Sequence, residues 1–593
     1  MEYFWRIIGI PINRIGVPTV TMIEDLQACK DRAAFASIIG VPVSDLSYAL
    51  YKMPPENKYS AQCISKKNGG TRNILAPTPK LKFIQRKLLK VLYECEDDID
   101  LAKGAASGLY FGFRRDKDII DNASLHTRRR FVLNIDIKDF FDQFNFGRVR
   151  GYFIKNKDYN LDEKVATYLA QIACFDNKLP QGSPCSPHIA NLLTCFFDVR
   201  ISKFLKKRGC TYSRYCDDIS ISTSHKIFPS GVATEDIIWP GGWKLSPELE
   251  SIFEKAGLPI NYEKLRMSEN RSRMTVTGLT VNKFVNISQD YYNQTRVLCD
   301  SYFRNGSVIY KEFVEPFTDN CPKLGEIQST ANNNPVGRLE GRLMHIAHVK
   351  MHTDQRTIIE IRANPPQYFS LLQKFVFAKN FVLNKQASVL TEGPSDVLYL
   401  KEAIRRKPHL APHCFDAKNN KFLIKFLRHD GLQMLSVGLD GGSGNLMRFL
   451  EMYYRKKNRL NLDLRSQPTI IVLDNDDGCK NLINRMNNVH KTNLKTDDNI
   501  IGKKLQNYLY VVKTPQVSGK VETCIEDLLP KSVLNVTLNG KSFNPNEKTF
   551  DSTKHFGKIA LASYVSKDFS SISFDGFDQF IKALDECVAM HTP

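Results

Sequence analysis

The chain has no Cys-x-x-Cys pair, no long apolar run and a shortage of acidic residues. Its 14 cysteines are scattered from Cys29 to Cys587. That disfavours zinc ribbons and disulfide frameworks alike and leads to the expectation of a reducing compartment. No segment approaches the roughly 20 apolar residues that span a bilayer. The start, Met1-Glu2-Tyr3-Phe4-Trp5-Arg6-Ile7-Ile8, lacks the basic segment and apolar core of a secretory signal, so the expectation is a cytoplasmic protein with no membrane partner. The 63 acidic residues fall 20 short of the 83 basic ones, a surplus that favours a polyanionic partner held with salt-sensitive affinity. Arg128-Arg129-Arg130, Lys206-Lys207-Arg208 and Arg455-Lys456-Lys457 are local clusters, and a solvated face is the plain reading of at least one of them. A hydrophobic share of 42% and a charged share of 25% are those of a globular protein. The length allows about four domain-sized units.

What is present begins with Tyr215-Cys216-Asp217-Asp218, set between two short apolar runs. Upstream, Val132-Leu133-Asn134-Ile135-Asp136-Ile137 carries another aspartate inside an apolar run. Template-directed synthesis is a phosphoryl transfer in which two divalent ions hold the attacking and departing oxygens, and such hard ions take carboxylate oxygens. Strand ends bring distant carboxylates together, and alternate strand residues face opposite sides. Asp136 and Asp217 are therefore candidate catalytic metal ligands, with Asp218 assisting. Paired aspartates after an aromatic more often mark only a solvated turn, but Gln181-Gly182-Ser183-Pro184-Cys185-Ser186-Pro187 strengthens the reading. Its glycine and prolines predict a tight turn where backbone approaches a nucleotide or template, followed by a helix over 188–204.

In the order of these segments the chain resembles the reverse transcriptases over roughly residues 50–285. Gly69-Gly70-Thr71-Arg72-Asn73-Ile74-Leu75-Ala76-Pro77 looks like their fingers segment, which implies that Lys66, Lys67 and Arg72 meet the phosphates of the incoming nucleotide. Asp136-Ile137-Lys138-Asp139-Phe140-Phe141 resembles the first palm motif, and the resemblance makes Phe141 the steric gate against a 2′-hydroxyl. Gln181 and Gly182 would contact substrate. Gly257-Leu258-Pro259-Ile260-Asn261-Tyr262-Glu263-Lys264 resembles the following palm motif, which implies a catalytic Lys264 near the leaving pyrophosphate. Asn122-Ala123-Ser124-Leu125-His126 and Val276-Thr277-Gly278 match elements of the retron branch. Membership there implies an enzyme that copies part of its own non-coding RNA into branched, multicopy single-stranded DNA (msDNA). Its substrates would be deoxynucleoside triphosphates and its cofactor Mg2+, with Mn2+ as alternative. Its partners would be the cognate RNA and the msDNA product, and a homo-oligomer with bound RNA–DNA is left open. Cys216 stands where many relatives carry alanine, and Asp142 where many carry proline. Asp142 is expected in solvent.

The second half reads differently. Tyr291–Tyr310 is expected to be helical, followed by an asparagine-rich loop around 320–337 and then Leu339–Asn364, in territory the resemblance assigns to a thumb that grips template and RNA. Residues 341–346 and the run 369–381 are the plausible nucleic-acid contacts there. From Ala387 short apolar runs alternate with helical stretches, the pattern of an α/β unit with a largely parallel sheet. Ser388–Asp396 carries Glu392 beyond one strand, and Pro468–Gly478 carries Asp474 and Asp476 beyond another. In such sheets chemistry gathers past the carboxyl ends of the strands. The Glu-Gly and later Asp-x-Asp pattern resembles a TOPRIM domain, which implies that Glu392, Asp474 and Asp476 are catalytic metal ligands. Glu522 and Glu526, four apart and on one face if helical, are further candidates, and Lys558 is a weaker one. The glycine-rich 436–444 is either a phosphate-approaching turn or a loop. No cysteine-rich zinc module or separate strand-breaking domain is evident, so a nuclease-like effector of the overcoming-lysogenization type is the residual reading, with an anti-phage role.

The fold class expected is α/β and α+β multidomain: a right-hand polymerase followed by an α/β TOPRIM domain. Its parts would be fingers and palm at 1–285, thumb and RNA-binding extension at 286–382, and effector at 383–593. The alternatives are an intron-type or diversity-generating reverse transcriptase, and a retron polymerase whose C-terminal part is a non-catalytic nucleic-acid clamp.

Overall fold

In a computed structural model of the chain, the described residues are 21–65, 71–104, 109–308, 334–427, 431–439, 443–456, 467–490, 503–506, 508–545, 549–567 and 571–591. They divide into two compact units, one ending at Ser288 and the other beginning at Gln289.

The first unit is organised by a four-stranded antiparallel sheet in the order Thr211–Tyr215, Asp218–Thr223, Phe131–Asp136, Arg266–Glu269. Phe131–Asp136 is paired on both edges over Phe131–Asn134, which explains why its sequence is almost wholly apolar: all but half-buried Asn134 are buried. Leu133, Ile135, Ile219 and Ile221 join one core with Leu169, Ile189 and Ile201 of the covering helices. Helix Ser186–Lys206 starts two residues before the expected 188, with proline in its first turn where a missing N–H costs nothing. Helix Pro79–Lys103 likewise opens on proline, closes on Gly104 in the left-handed region, and buries Leu81, Ile84, Leu88, Val91, Leu92 and Cys95 at helical spacing. The hairpin of Tyr59–Ser65 and Thr71–Pro77 stands apart as a two-stranded sheet.

The second unit carries a five-stranded sheet in the order Lys425–Phe426, Ser388–Leu390, Thr469–Leu473, Leu509–Lys513, Lys503–Gln506. Its first three pairings are parallel and the last antiparallel, as the alternation of apolar runs and helices predicts. Helices Gln289–Asn305, Pro335–Thr353 and Gln367–Phe377 belong to this unit. Gln373 donates to the Ser436 carbonyl at 2.9 Å, Ser388 Oγ to the Asn380 carbonyl at 2.7 Å, and Phe381 packs on Phe449. This corrects the reading of 369–381 as a nucleic-acid contact. Phe369, Phe375, Phe377 and Phe381 are fully buried core, Phe375 against Tyr302 of helix Gln289–Asn305 and Phe377 against Tyr453. Within 341–346, Leu343 and Ile346 are also core, and Arg342 stacks on Tyr291 while bonding Thr295 and the Tyr291 carbonyl. The asparagine-rich stretch lies outside the described residues as far as Asn333. Among the described residues no single helix is long and apolar enough to cross a membrane.

Candidate active site

The sheet register brings the first acidic set together. Asp136 ends the central strand opposite Asp218, which begins the next, and the Ile137 N–H donates to the Asp217 carbonyl at 3.0 Å. Cys216 takes a positive φ of 58° to turn the hairpin, a conformation costing a non-glycine residue about 1 kcal/mol or more. The segment after Gly257 is strapped alongside: Lys138 N–H bonds the Pro259 carbonyl and Asn261 N–H the Asp136 carbonyl, both at 2.8 Å. Asn261 Nδ2 and Lys264 Nζ then reach the two Asp136 carboxylate oxygens at 3.2 and 2.8 Å. Burial, then the charge of Asp136, raises Asp217. Loss of hydration, then the charges of Asp217 and Asp136, pushes Asp218 up to about 6 although part of its side chain stays open to solvent.

Three carboxylates that repel one another, with a lysine ammonium against one of them, form a donor set suited to a hard divalent cation. As placed, no three His, Cys, Asp or Glu side chains among the described residues close into a formed ion cage. Lys264, implied to serve the pyrophosphate, here offsets the charge of Asp136. Asp136, Asp218 and Lys264 line a 360 Å³ cleft together with Arg266, Thr277 and Gly278.

Beneath the hairpin lies a network that sequence reasoning missed. Arg214 is fully buried. Its Nε and Nη2 donate to the two Asp198 oxygens at 2.8 and 2.7 Å, and its Nη1 donates to Asn191 at 2.9 Å and to the Cys216 carbonyl at 3.0 Å. Tyr212 donates to Asp198 at 2.6 Å. The guanidinium thus holds the strained residue directly before Asp217. The signal the sequence offered was Asn191 and Asp198, polar residues seven apart on the buried face of helix Ser186–Lys206.

The Gln181-Gly182 turn meets protein backbone. Leu75 N–H bonds the Gln181 carbonyl at 2.8 Å, and Gly182, at φ 117°, leaves no room for a Cβ, which would lie 2.5 Å from the Leu75 oxygen. The glycine is required by this close approach to the strand Thr71–Pro77. Phe141 is half-buried on the turn Phe140–Gln143, edge-on to Phe140. Asp142 is exposed, with Lys178 at 3.4 Å. Arg72 sits on the strand Thr71–Pro77, while Lys66 and Lys67 lie outside the described residues. His126 is buried between Ser222 and Ser213, at 2.7 Å from each, and burial drops it to about 3. Asn134 Nδ2 ties the central strand to the Thr275 carbonyl. The two retron-like elements thus brace the sheet, with helix Ile119–Ser124 beside the Thr275–Thr280 hairpin.

In the second unit Ser388–Leu390 and Thr469–Leu473 are parallel neighbours, and their carboxyl ends bring acids 82 residues apart into contact: the Asp474 N–H donates to Glu392 Oε1 at 3.1 Å. Asp474 also accepts from the Ile525 N–H at 2.8 Å. Asp476 caps helix Asp477–His490 through the Cys479 N–H. Asp396, which sequence reasoning passed over, accepts from the Gly393 N–H at 2.8 Å and joins the cluster. Glu526 is buried with Lys558 Nζ at 3.2 Å. Burial first, then neighbouring carboxylates, pushes Glu392 to about 7, Asp396 to about 6 and Asp474 to about 8. Glu522 and Glu526 do not share a helix: the helical turn is only Ile525–Leu528, and Glu522 is exposed, 3.5 Å from Lys480. Asp440, Gly441 and Gly442 lie outside the described residues.

Comparison with known proteins bears on the first unit. Residues 64–281 match the family described as reverse transcriptase (RNA-dependent DNA polymerase). The Retron Ec86 reverse transcriptase of Escherichia coli is 29% identical over 289 residues, covering 48% of this chain and 79% of the relative. The Retron Mx162 reverse transcriptase of Myxococcus xanthus is 29% identical over 269 residues, covering 42% and 53%. The Retron Se72 reverse transcriptase of Salmonella heidelberg is 32% identical over 218 residues, covering 36% and 52%, so the chain spans about half the length of the last two. An apo telomerase from Candida tropicalis aligns at 14% identity and a TM-score of 0.27 over 40% of this chain and 56% of that one, too loose a superposition to bear on the fold. The acidic strand ends of the first unit therefore lie within the stretch that matches the reverse transcriptase family, and the relatives to which that stretch is similar are retron reverse transcriptases.

Proposed function

We propose that this protein copies a cognate structured RNA into branched, multicopy single-stranded DNA, and that its second unit is a metal-dependent, TOPRIM-like nuclease effector serving anti-phage defence. The observation that carries the polymerase reading is the pairing of Asp136 against Asp218 at the turn that presents Asp217. In this reading Asp136, Asp217 and Asp218 hold Mg2+ or Mn2+, which supplies positive charge to the triphosphate and activates the primer hydroxyl. Lys264 moves from Asp136 to the phosphates once that charge is otherwise balanced. Phe141 stands beside the sugar and excludes ribonucleotides. The Gln181-Gly182 turn, tied to the Thr71–Pro77 strand, sets the distance between that strand and the acids, and so orients the substrate. Support for the effector comes from Glu392, Asp474 and Asp476 lying past the carboxyl ends of adjacent parallel strands, with Asp396 and Glu526 added.

The test is extraction of nucleic acid from cells expressing the full chain. A branched RNA–DNA species is expected. Replacing Asp217 and Asp218 by alanine should abolish it with RNA binding retained, whereas Glu392→Gln or Asp474→Asn should leave synthesis intact and remove Mn2+-dependent cleavage of labelled DNA, RNA or transfer RNA. A folded Asp217/Asp218 variant that still synthesises DNA refutes the polymerase assignment. The second reading is a non-catalytic nucleic-acid clamp, in which Lys558 against buried Glu526 balances the acids in place of a metal. Absence of cleavage by the protein freed of its product would decide for it.

A further inference from the structure

The two ends of the four-stranded sheet carry opposite charge. The acids stand at one; basic residues from five separate stretches meet at the other. Phe131, the first residue of the central strand, pairs with Thr223 and with Glu269, so the residues just before and after these strands are neighbours. Arg130 N–H bonds the Thr223 carbonyl at 3.0 Å, its guanidinium bonds the Lys226 carbonyl at 3.2 Å, and its own carbonyl accepts from Asn270 at 2.8 Å. Arg128 bonds the Val281 carbonyl through its N–H and the Lys283 carbonyl through its side chain, 155 residues away in sequence. Thr223 Oγ1 reaches the Gly209 carbonyl at 3.0 Å. Arg128 and Arg130, Lys207 and Arg208, His225 and Lys226, Arg271 and Arg273, and Lys283 therefore share one end of the sheet.

All of these except half-buried Arg208 are exposed. Arg128 and Arg130 are anchored by backbone carbonyls, which fix a guanidinium without neutralising its charge. Glu248, 3.0 Å from Arg208, and Glu269 offset only part of the surplus. A depression of 620 Å³ opens among Lys207, Arg208, His225, Lys226 and Ile227. Ile227 and Phe284, 82% and 54% exposed, interleave with the basic groups and offer flat apolar surface to a sugar or base. Anchored arginines, flexible lysines and exposed apolar faces together match a phosphodiester chain.

We infer that this sheet end is a second nucleic-acid site, which holds the backbone of structured RNA away from the acids; the inference rests on the reading of RNA as partner. The central strand spans six residues, which separates the two ends by roughly 17–20 Å. That is about two Debye lengths at physiological salt, so the basic end retains RNA without altering the field at the acids. Retention and chemistry are separable.

The test compares the full chain with Arg128→Gln, Arg130→Gln, Lys226→Gln and Arg271→Gln combined, and with a control replacing exposed Lys30, Lys155, Lys157 and Lys164 by glutamine. Binding of an RNA hairpin is measured against salt, and DNA synthesis on a preformed short template–primer is measured in parallel. The first variant should bind the hairpin about 30-fold or more weakly, with a salt slope shallower by about 3, and should extend the short template–primer within about twofold of the unmodified rate; the control should keep affinity and slope. Equal weakening in both variants, or an unchanged slope in the first, overturns the site. Loss of binding to anionic lipid vesicles with hairpin binding intact does so too. If the unmodified protein makes no RNA-templated DNA, the proposed function fails and this inference with it; if synthesis proceeds and the first variant binds normally, this inference alone fails.

Discussion

The two acidic sites use the same components under different conditions. In the first unit Asp136 and Asp218 border an open cleft beside the turn that carries Asp217, with a half-exposed lysine against Asp136. In the second unit Glu392, Asp396, Asp474 and Glu526 lie deeper, behind a parallel sheet, with Lys558 against Glu526. The consequence is electrostatic. Asp218 reaches about 6, whereas Glu392 and Asp474 reach about 7 and 8. At neutral pH Asp218 is therefore mostly ionised, while Glu392 and Asp474 must shed protons to take a cation. A hairpin tip gives access; a sheet end gives enclosure, at the cost of competition from protons.

The largest expected effect concerns what holds the open site in shape. Arg214→Met alone leaves Asp198 buried without its partner and should destabilise the first unit by about 3–5 kcal/mol, read as loss of soluble protein or a lowered melting transition. Arg214→Met combined with Asp198→Leu removes both charges and should restore folding. If the network positions the hairpin, the double variant stays deficient, with synthesis down roughly 10–100-fold, a shift in the Mg2+ needed for half activity, and little change in the KM for nucleotide. Recovery of full synthesis along with stability would reduce the network to a structural role. The enclosed site has no such lever, since its acids are oriented by backbone N–H groups of Gly393, Asp474 and Ile525.

This asymmetry also governs what could be read beforehand. The strands leading to Asp136 and Asp474 were legible because each is a short apolar run ended by an acid. The helix expected over 188–204 forms as Ser186–Lys206. Arg214 was not legible, because an arginine within a strand ordinarily faces solvent, and its partner lies 16 residues back on a helix. Asp396 was passed over because it follows a glycine turn, where an acid is an ordinary helix cap. The aromatic-basic run 369–381 misled for the opposite reason: residues that stack on bases are also those that fill a core, and only the packing of Phe381 on Phe449 decides between them.

A smaller effect sharpens the contrast through pH. Carboxyls that ionise near 4 when unfolded and near 7 and 8 when folded keep protons in the folded state that the unfolded chain has lost. Metal-free stability should therefore fall as pH rises from about 5 to 8, the reverse of a carboxylate in a salt bridge. Mn2+ affinity should rise over the same window, by up to tenfold per pH unit for each proton displaced. Melting the full chain at pH 5.5 and 8, with EDTA or with Mn2+, checks both signs. The slope should flatten in Asp474→Asn and persist in the variant lacking Asp217 and Asp218. A flat profile in the unmodified chain would remove the distinction between the sites.

The smallest effect is the most discriminating for the enclosed site, because it separates two glutamates that sequence spacing placed together. Glu526 is buried and faces Lys558, so Glu526→Gln leaves that ammonium without its partner beside Asp474 and should change Mn2+ affinity severalfold. Glu522 is exposed and 3.5 Å from Lys480, a surface pair worth no more than about 1 kcal/mol. Glu522→Gln should leave Mn2+ affinity, stability and cleavage within about twofold of the unmodified chain. Titration of Mn2+ into both variants reads the difference directly. Equal losses would mean that Glu522 swings inward when an ion arrives and that the enclosure is less complete than the metal-free arrangement implies. A loss confined to Glu526 assigns the late acidic segment a single working residue, held by the turn Ile525–Leu528 rather than by a helix face.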